Sequence, residues 1–203
     1  MQQAKLPSSP KVVVLAGPNG AGKSTTAPRL LRGVLGVEEF VNADTIAAGL
    51  SGFAPDRAAM AAGRVMLRRL RELAASKANF AFETTLASRS FAPWLARLRA
   101  DGYRTHLVFL WLPSADTAVA RVAQRVASGG HDVPEEVVRR RYAAGLRHFF
   151  SLYQTLADSW QFVDNTTGVG ERPRIIAFGS ALKVARVVAA EPWQRIQAQS
   201  KAP

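Results

Sequence analysis

Short apolar runs alternate along this chain with longer stretches of helical periodicity, the pattern of βαβ units wound around a mainly parallel sheet. Lys11-Val-Val-Val-Leu-Ala16 is apolar at successive positions, as a strand covered on both faces requires. Lys23 to Arg32 then reads as a helix, and Phe40-Val41 as the end of a second strand. Pro55 precedes a helical pattern from Asp56 to about Ser76, with Asp56 placed to cap it. Asn79-Phe-Ala-Phe82 predicts a third strand ending at Glu83, and Ala92 to Ala100 a helix stopped by Gly102. Thr105 to Leu112 predicts a fourth strand. A helix capped by Ser114 runs through Arg121 and Arg125 to Ser128, closed by Gly129-Gly130. Pro134 opens another, whose first turn carries Glu135 and Glu136 where they complement the macrodipole. Gln161-Phe-Val163 predicts a fifth parallel strand. Arg174 to Phe178 and Ala181 to Ala185 predict a terminal hairpin around Gly179-Ser180. Residues 1–9 and roughly 199–203 are expected to be loose, and no internal repeat is present.

These elements predict an α/β fold: a three-layer parallel sheet of about five strands, with a C-terminal hairpin. The chain has 203 residues, 48% of them apolar, enough for a single domain over residues 1–203. It has no cysteine, which excludes a disulfide scaffold and thiolate metal sites and fits a reducing compartment. No stretch reaches the roughly 18 uninterrupted apolar residues of a membrane span, and Met1 to Pro10 lacks the apolar segment of a secretion signal. A soluble, cytoplasmic protein is expected, with no membrane partner. The formal charge of +12 directs attention to anionic partners: nucleotides, nucleotide sugars, nucleic acid or an acidic protein. Much of that charge is arginine on helical patterns, such as Arg64, Arg68, Arg69 and Arg71, which read as a solvated face with buried aliphatic stems.

Candidate chemistry begins where the first strand meets its helix. Gly17, Pro18, Asn19, Gly20, Ala21, Gly22, Lys23 and Ser24 form the pattern G-x-x-x-x-G-K-S, followed by Thr25, in the strand-to-helix context that a phosphate-binding P-loop needs. Glycines let the backbone turn tightly and aim N–H groups inward, and the helix N-terminus adds positive potential. ATP or GTP is the expected ligand, with Lys23 reaching its β- and γ-phosphates and the Ser24 hydroxyl binding Mg²⁺. A glycine-rich turn alone would leave the Lys-Ser pair unexplained. Transporter-type ATPases share this loop, but they also need an L-S-G-G-Q-like segment and an apolar run followed by Asp-Glu. Here Leu50-Ser-Gly-Phe53 is the nearest echo, and Leu112 is followed by Pro-Ser-Ala-Asp.

Ligands of an open parallel sheet bind beyond the carboxyl ends of its strands. Asp44, after the second strand, is a candidate base that accepts the proton of a substrate hydroxyl; the plainer reading is a cap of the turn into Thr45-Ile46. Glu83, Thr84 and Thr85 end the third strand and are candidates for acceptor binding or for a water on Mg²⁺. Arg121 and Arg125 are four apart, hence on one helix face, and the next helix carries Arg139, Arg140 and Arg141. Two arginine-bearing helices joined by Gly129-Gly130-His131 read as a lid over about residues 121–142, whose guanidinium groups stabilise a transferring phosphoryl group. Arg125 and Arg141, then Arg121, are the arginines favoured for phosphate contact. Three consecutive arginines cannot all point one way. Asp164-Asn165-Thr166 follows the fifth strand, where such sheets often place the nucleotide base.

Together GPNGAGKST (17–25), FVNAD (40–44), FAFETTL (80–86), RVAQRVASGGHDVP (121–134), RRRY (139–142) and VDNT (163–166) resemble the zeta toxin family of P-loop kinases, particularly the bacterial branch labelled as predicted ABC-type ATPases. The resemblance implies a kinase using ATP or GTP and Mg²⁺ to phosphorylate the 3′-hydroxyl of UDP-N-acetylglucosamine, with an antitoxin protein as partner. It implies the Walker lysine at Lys23, the catalytic base at Asp44, acceptor binding at Glu83 and Thr85, and lid arginines at Arg125 and Arg141. The chain departs from the well-studied toxins in its short length, its GPNGAGKS loop and its GGH lid. A polynucleotide kinase or nucleic-acid-binding NTPase, suggested by the charge, is the alternative, and a non-catalytic nucleotide sensor is a third reading.

Overall fold

The computed structural model describes residues 9–52, 55–166 and 173–201. Strand β1 (Lys11–Ala16) lies in the middle of a seven-stranded sheet, with Val12 to Ala16 fully buried on both faces. Around it, β2 (Glu39–Val41), β3 (Phe80–Thr84), β4 (Arg104–Trp111) and β5 (Ser159–Asp164) all run parallel, in the order β2-β3-β1-β4-β5. The expected hairpin, β6 (Arg174–Ser180) and β7 (Lys183–Val187), adds two antiparallel strands beyond β5. The five parallel strands and the hairpin are thus all present, and the hairpin extends the same sheet to seven strands.

Helices cover both faces of this sheet. Helix α1 (Lys23–Ala27) follows β1 and widens into a π-helical stretch from Pro28 to Val34. Pro28 has no N–H for an i→i−4 bond, so the α-helical ladder expected to continue to Arg32 ends there. Helix α2 (Ala43–Leu50) stands where the sequence reads only a turn into Thr45-Ile46. Helix α3 (Ala59–Ala75) starts later than expected: a 3₁₀ turn over Pro55–Ala58 precedes it and Ala58, not Asp56, is its N-cap. Helices α4 (Ala92–Ala100), α5 (Ala115–Ala127, with the Ser114 hydroxyl accepting from the Thr117 N–H) and α6 (Glu135–His148) match the sequence reading.

The chain end is a second departure. Residues 190–201 form α7 (Ala190–Lys201), so 199–201 are helical rather than loose, whereas 1–8 and 202–203 fall outside the described residues. Trp193 of α7 stacks on Trp160 of β5 at 5.8 Å between ring centroids and packs on Phe162, and burying such aromatic surface stabilises the helix by roughly 1.5–3 kcal/mol per large side chain. The hairpin also turns two residues later than expected. Gly179 remains inside β6 because a Cβ there would lie 2.6 Å from the Trp160 ring, and Trp160 Nε1 donates to the Ala181 carbonyl at 2.8 Å, which fixes the turn at Ala181. A second aromatic group (Phe80, Phe82, Phe91, Trp94 and Tyr103) fills the space between β3 and α4.

Candidate functional site

Three strand ends meet at the phosphate loop. The loop, residues 17–22, leaves β1 with Gly17, Gly20 and Gly22 at φ +139°, +76° and +75°, backbone conformations that side chains rarely adopt. Space forbids a side chain as well. A Cβ on Gly17 would lie 2.3 Å from the Leu110 carbonyl oxygen, one on Gly20 2.8 Å from that of Ala118, and one on Gly22 2.6 Å from Asn165 Nδ2. The glycines therefore let the loop fit between β4, α5 and the segment after β5. Asn165 closes it from above, its Nδ2 donating to the Ala21 carbonyl at 2.7 Å.

Lys23, 6% exposed, begins α1 and folds back over the loop. Its Nζ donates to the Gly17 and Pro18 carbonyls at 2.9 and 2.8 Å and lies 3.6 Å from Glu83 Oε1. Burial lowers its pKa, an effect opposed by the negative charges of Glu83 and Asp44 and reinforced by Arg125. Asp44 is exposed in the first turn of α2, and its charge acts on both Lys23 and Arg141.

Parallel register brings the metal-type donors together. Leu15 pairs with Glu83 and Val41 with Phe82, so Glu83 stands beside the root of the loop and Asn42 beside Glu83. The Ser24 hydroxyl donates to Glu83 Oε2 at 2.8 Å, and Asn42 Nδ2 donates to Ser24 Oγ at 3.1 Å and to Glu83 Oε2 at 2.8 Å. A hydroxyl beside a carboxylate is the hard oxygen set that suits Mg²⁺, which keeps several waters and leans on substrate phosphates rather than on a protein cage. Among the described residues no group of three or more His, Cys, Asp or Glu could hold a metal ion.

The two arginine-bearing helices, α5 and α6, contribute unequally. Arg141 faces the loop, its Nη1 donating to Asn19 Oδ1 at 3.5 Å, and burial together with Arg140 lowers its pKa while Asp44 opposes the shift. Arg139 points elsewhere, pairing with Asp116 at 2.6 Å and Glu135 at 2.8 Å, and Arg140 is exposed. Arg125 Nη2 donates to the His131 carbonyl at 2.6 Å, and a Cβ on Gly130 would touch the Arg125 stem at 2.5 Å, so this arginine braces the Gly-rich turn of its own lid. Its Nε is buried without a hydrogen-bond partner. Arg121 donates to the Asn165 and Thr166 carbonyls at 2.7 and 2.6 Å and ties α5 to the segment over the phosphate loop.

Of the residues expected from sequence, the loop, Lys23, Ser24, Glu83, Asp44 and Arg141 converge. Thr25 is exposed on α1. Thr85 stands apart: its Oγ1 accepts from the Ala87 N–H at 3.4 Å in a local turn, and its carbonyl packs against Gly145. Asn42 is a member that sequence reasoning missed, although it was findable as an N-cap immediately before a helix. Asn165, expected near the nucleotide base, closes the phosphate loop through Ala21, 144 positions away.

Two open clefts flank the cluster. One of about 330 Å³ lies between β2, α2 and α3 and includes Asn42, Thr45, Ile46, Arg68 and Arg69. The other, about 240 Å³, lies at the ends of β4 and β5 beside α7 and includes Asp164, Thr166, Arg174 and Arg195. No helix among the described residues is long and apolar enough to cross a membrane.

Comparison with known proteins agrees with this geometry. The profile of a family described as AAA domain matches residues 12–150. An uncharacterized protein of Haemophilus influenzae is 29% identical over 134 residues, covering 65% of this chain and 92% of its own length. Among solved structures, AvrRxo1-ORF1:-ORF2 with ATP superposes with a TM-score of 0.72 at 16% identity, over 96% of this chain and 65% of that one. The PezAT chromosomal toxin-antitoxin system of Streptococcus pneumoniae superposes with a TM-score of 0.61 at 13% identity, over 96% of this chain and 86% of the other. At these identities the likeness is one of fold. The chain spans about two thirds of the length of the AvrRxo1 chain.

Proposed function

The chain belongs to this AAA domain family, and we propose that within it the protein is a small-molecule kinase of zeta-toxin type, transferring the γ-phosphate of ATP or GTP to a hydroxyl group. The observation that carries the reading is the convergence of two sets of groups at one place. Lys23, Ser24 and Glu83 form the donor side, while the Asp44 carboxylate lies within electrostatic reach of both Lys23 and Arg141. A cleft lined by Asn42 and Thr45, the residues that bracket Asp44 along the chain, opens between β2, α2 and α3 and offers room for an acceptor.

In this reading the backbone N–H groups of the loop and Lys23 bind the β- and γ-phosphates, after Lys23 exchanges its loop carbonyls for phosphate oxygens. Ser24 and Glu83 would hold Mg²⁺, which would supply positive charge against the phosphates. Asp44 accepts the proton of the incoming hydroxyl as the bond to phosphorus forms. Arg141 stabilises the charge spread over the transferring group, and Arg125 holds the lid turn that carries it into place. Arg121 acts through the Asn165–Thr166 segment on the nucleotide side. UDP-N-acetylglucosamine is the acceptor suggested by the resemblance, and the cleft beside Asn42 and Thr45 is the acceptor side. An antitoxin partner is part of the same reading, which the PezAT likeness supports in fold only.

The test is transfer of label from γ-labelled ATP or GTP to UDP-N-acetylglucosamine and, separately, to a cell metabolite extract. A labelled phosphate ester formed by the wild type and not by Asp44→Asn is the expected outcome. No labelled ester in either sample, with an unchanged Asp44→Asn variant, would overturn the proposal. The charge of +12 sustains one rival, a kinase or NTPase acting on polynucleotides. Steeply salt-dependent binding to single-stranded DNA or RNA would favour that rival, and a weak, flat response would remove it.

A further inference from the structure

Asn42 touches both halves of the site. It is 5% exposed, sits between β2 and α2, and makes hydrogen bonds at both ends of its amide. The Asp44 and Thr45 N–H groups donate to its Oδ1 at 2.7 and 3.3 Å, which is the N-cap of the helix that carries the base. Because those backbone donors require an oxygen, the amide has only one orientation available, and Nδ2 must point at Ser24 and Glu83.

The consequence for Ser24 follows from its hydrogen-bonding capacity. A hydroxyl has one proton and two lone pairs. The proton goes to Glu83 Oε2 and one lone pair accepts from Asn42, so a single lone pair is left, in a fixed direction, for a cation. Without the Asn42 donor the Ser24 hydroxyl, on an exposed residue in the first turn of α1, is free to rotate, and Glu83 loses the bond that steadies its Oε2.

We infer that Asn42 is a positioning residue, which orients Ser24 and Glu83 for Mg²⁺ and, through the cap of α2, couples that metal site to the placement of Asp44. This rests on the kinase reading for the role of Asp44, but its metal half is independent of any acceptor. Partners that orient metal ligands typically change metal affinity by about 10- to 100-fold when removed.

Substitution separates this role from plain helix capping. Asn42→Ser and Asn42→Thr both retain an N-cap oxygen, and Thr suits the extended backbone at this position (φ −132°, ψ 124°), yet their one hydroxyl sits on a side chain one bond shorter, so an oxygen placed to cap α2 leaves nothing at the Nδ2 position beside Ser24 and Glu83. The measurement is ATP affinity by calorimetry on the full-length protein, with Mg²⁺ and with EDTA, alongside thermal melting. Wild type should bind ATP more tightly with Mg²⁺. Both capped variants should melt near wild type and match its affinity in EDTA, yet lose about 10-fold or more of the gain from Mg²⁺. In a Ser24→Ala background Asn42→Ser should remove less than it does in the wild type, because only the bond to Glu83 is left to lose. Variants that keep the full Mg²⁺ gain would overturn the inference and leave Asn42 a cap only, as would a wild type that gains nothing from Mg²⁺. If the Mg²⁺ gain depends on Asn42 but no acceptor is ever phosphorylated, the inference stands and the kinase reading falls.

Discussion

The phosphate loop and the lid lie against the same strand ends, but the structure fixes them in different ways. The loop is set by backbone sterics: Gly17, Gly20 and Gly22 each occupy a conformation, and a space, that a methyl group would violate. The helices proposed as a lid rest on the core through Ala118, Val122, Val138 and Leu146, and only their arginines are set by a few side-chain hydrogen bonds, Arg125 to its own turn, Arg121 to the Asn165–Thr166 carbonyls and a long one from Arg141 to Asn19. A surface that must always accept the same phosphates can be rigid. In the proposed kinase, arginines that must meet an acceptor and then help to exclude water benefit from contacts that break singly.

Loop substitutions should therefore have the largest effect. Gly17→Ala drives a Cβ into the Leu110 backbone and should abolish nucleotide binding and lower the melting temperature, whereas Gly33→Ala, with open space around it, should change neither; calorimetry and melting curves check both. Asp44→Asn should leave nucleotide affinity unchanged and reduce transfer by about 10²- to 10⁴-fold, as read from turnover with saturating nucleotide. A substitution that weakened nucleotide binding as much as turnover would instead place Asp44 on the donor side.

Arg141→Lys should lower turnover more than it weakens binding, because an ammonium cannot reproduce the spread guanidinium contact. Arg121→Ala should do the reverse, through loss of its two bonds to the segment above the loop, and equal effects of the two variants would erase the distinction between their roles. The smallest effect concerns Tyr142, which joins α6 to β4 and α7 through the Leu112 carbonyl and Gln199. Burial raises its pKa from the ordinary value of 10.0 to about 12, as it does for Tyr153. The folded state keeps the phenolic proton longer than the unfolded state, so this stability is fully present below pH 10 and is lost as pH rises towards 12. Tyr142→Phe should flatten part of that alkaline decline in urea-unfolding curves, leaving the part due to Tyr153.

The loop was legible from sequence because its whole logic is local: glycines, lysine and serine within one turn between a strand and a helix. The strands were legible for a related reason, since burial on both faces leaves long apolar runs. Contacts between distant segments were not. Glu83 reads equally as an acceptor group or as a holder of water on Mg²⁺ until the β1–β3 register brings it to Ser24, and Arg121 as a phosphate contact until Asn165 and Thr166 are found beside it. Helix α2 is short and contains Gly49, so its periodicity is weak, and its real marker is the Asn42 cap. The C-terminal helix is polar except at the few positions, Trp193 and Ile196 among them, that meet the sheet.

The central claim is that this rigid donor site serves transfer rather than hydrolysis, and the fate of the γ-phosphate in a single turnover tests it most directly. With enzyme in excess over γ-labelled ATP and a metabolite extract present, the account predicts label in a phosphate ester for the wild type and at most inorganic phosphate for Asp44→Asn. Label released only as inorganic phosphate by the wild type, at the same rate with and without extract, would contradict it.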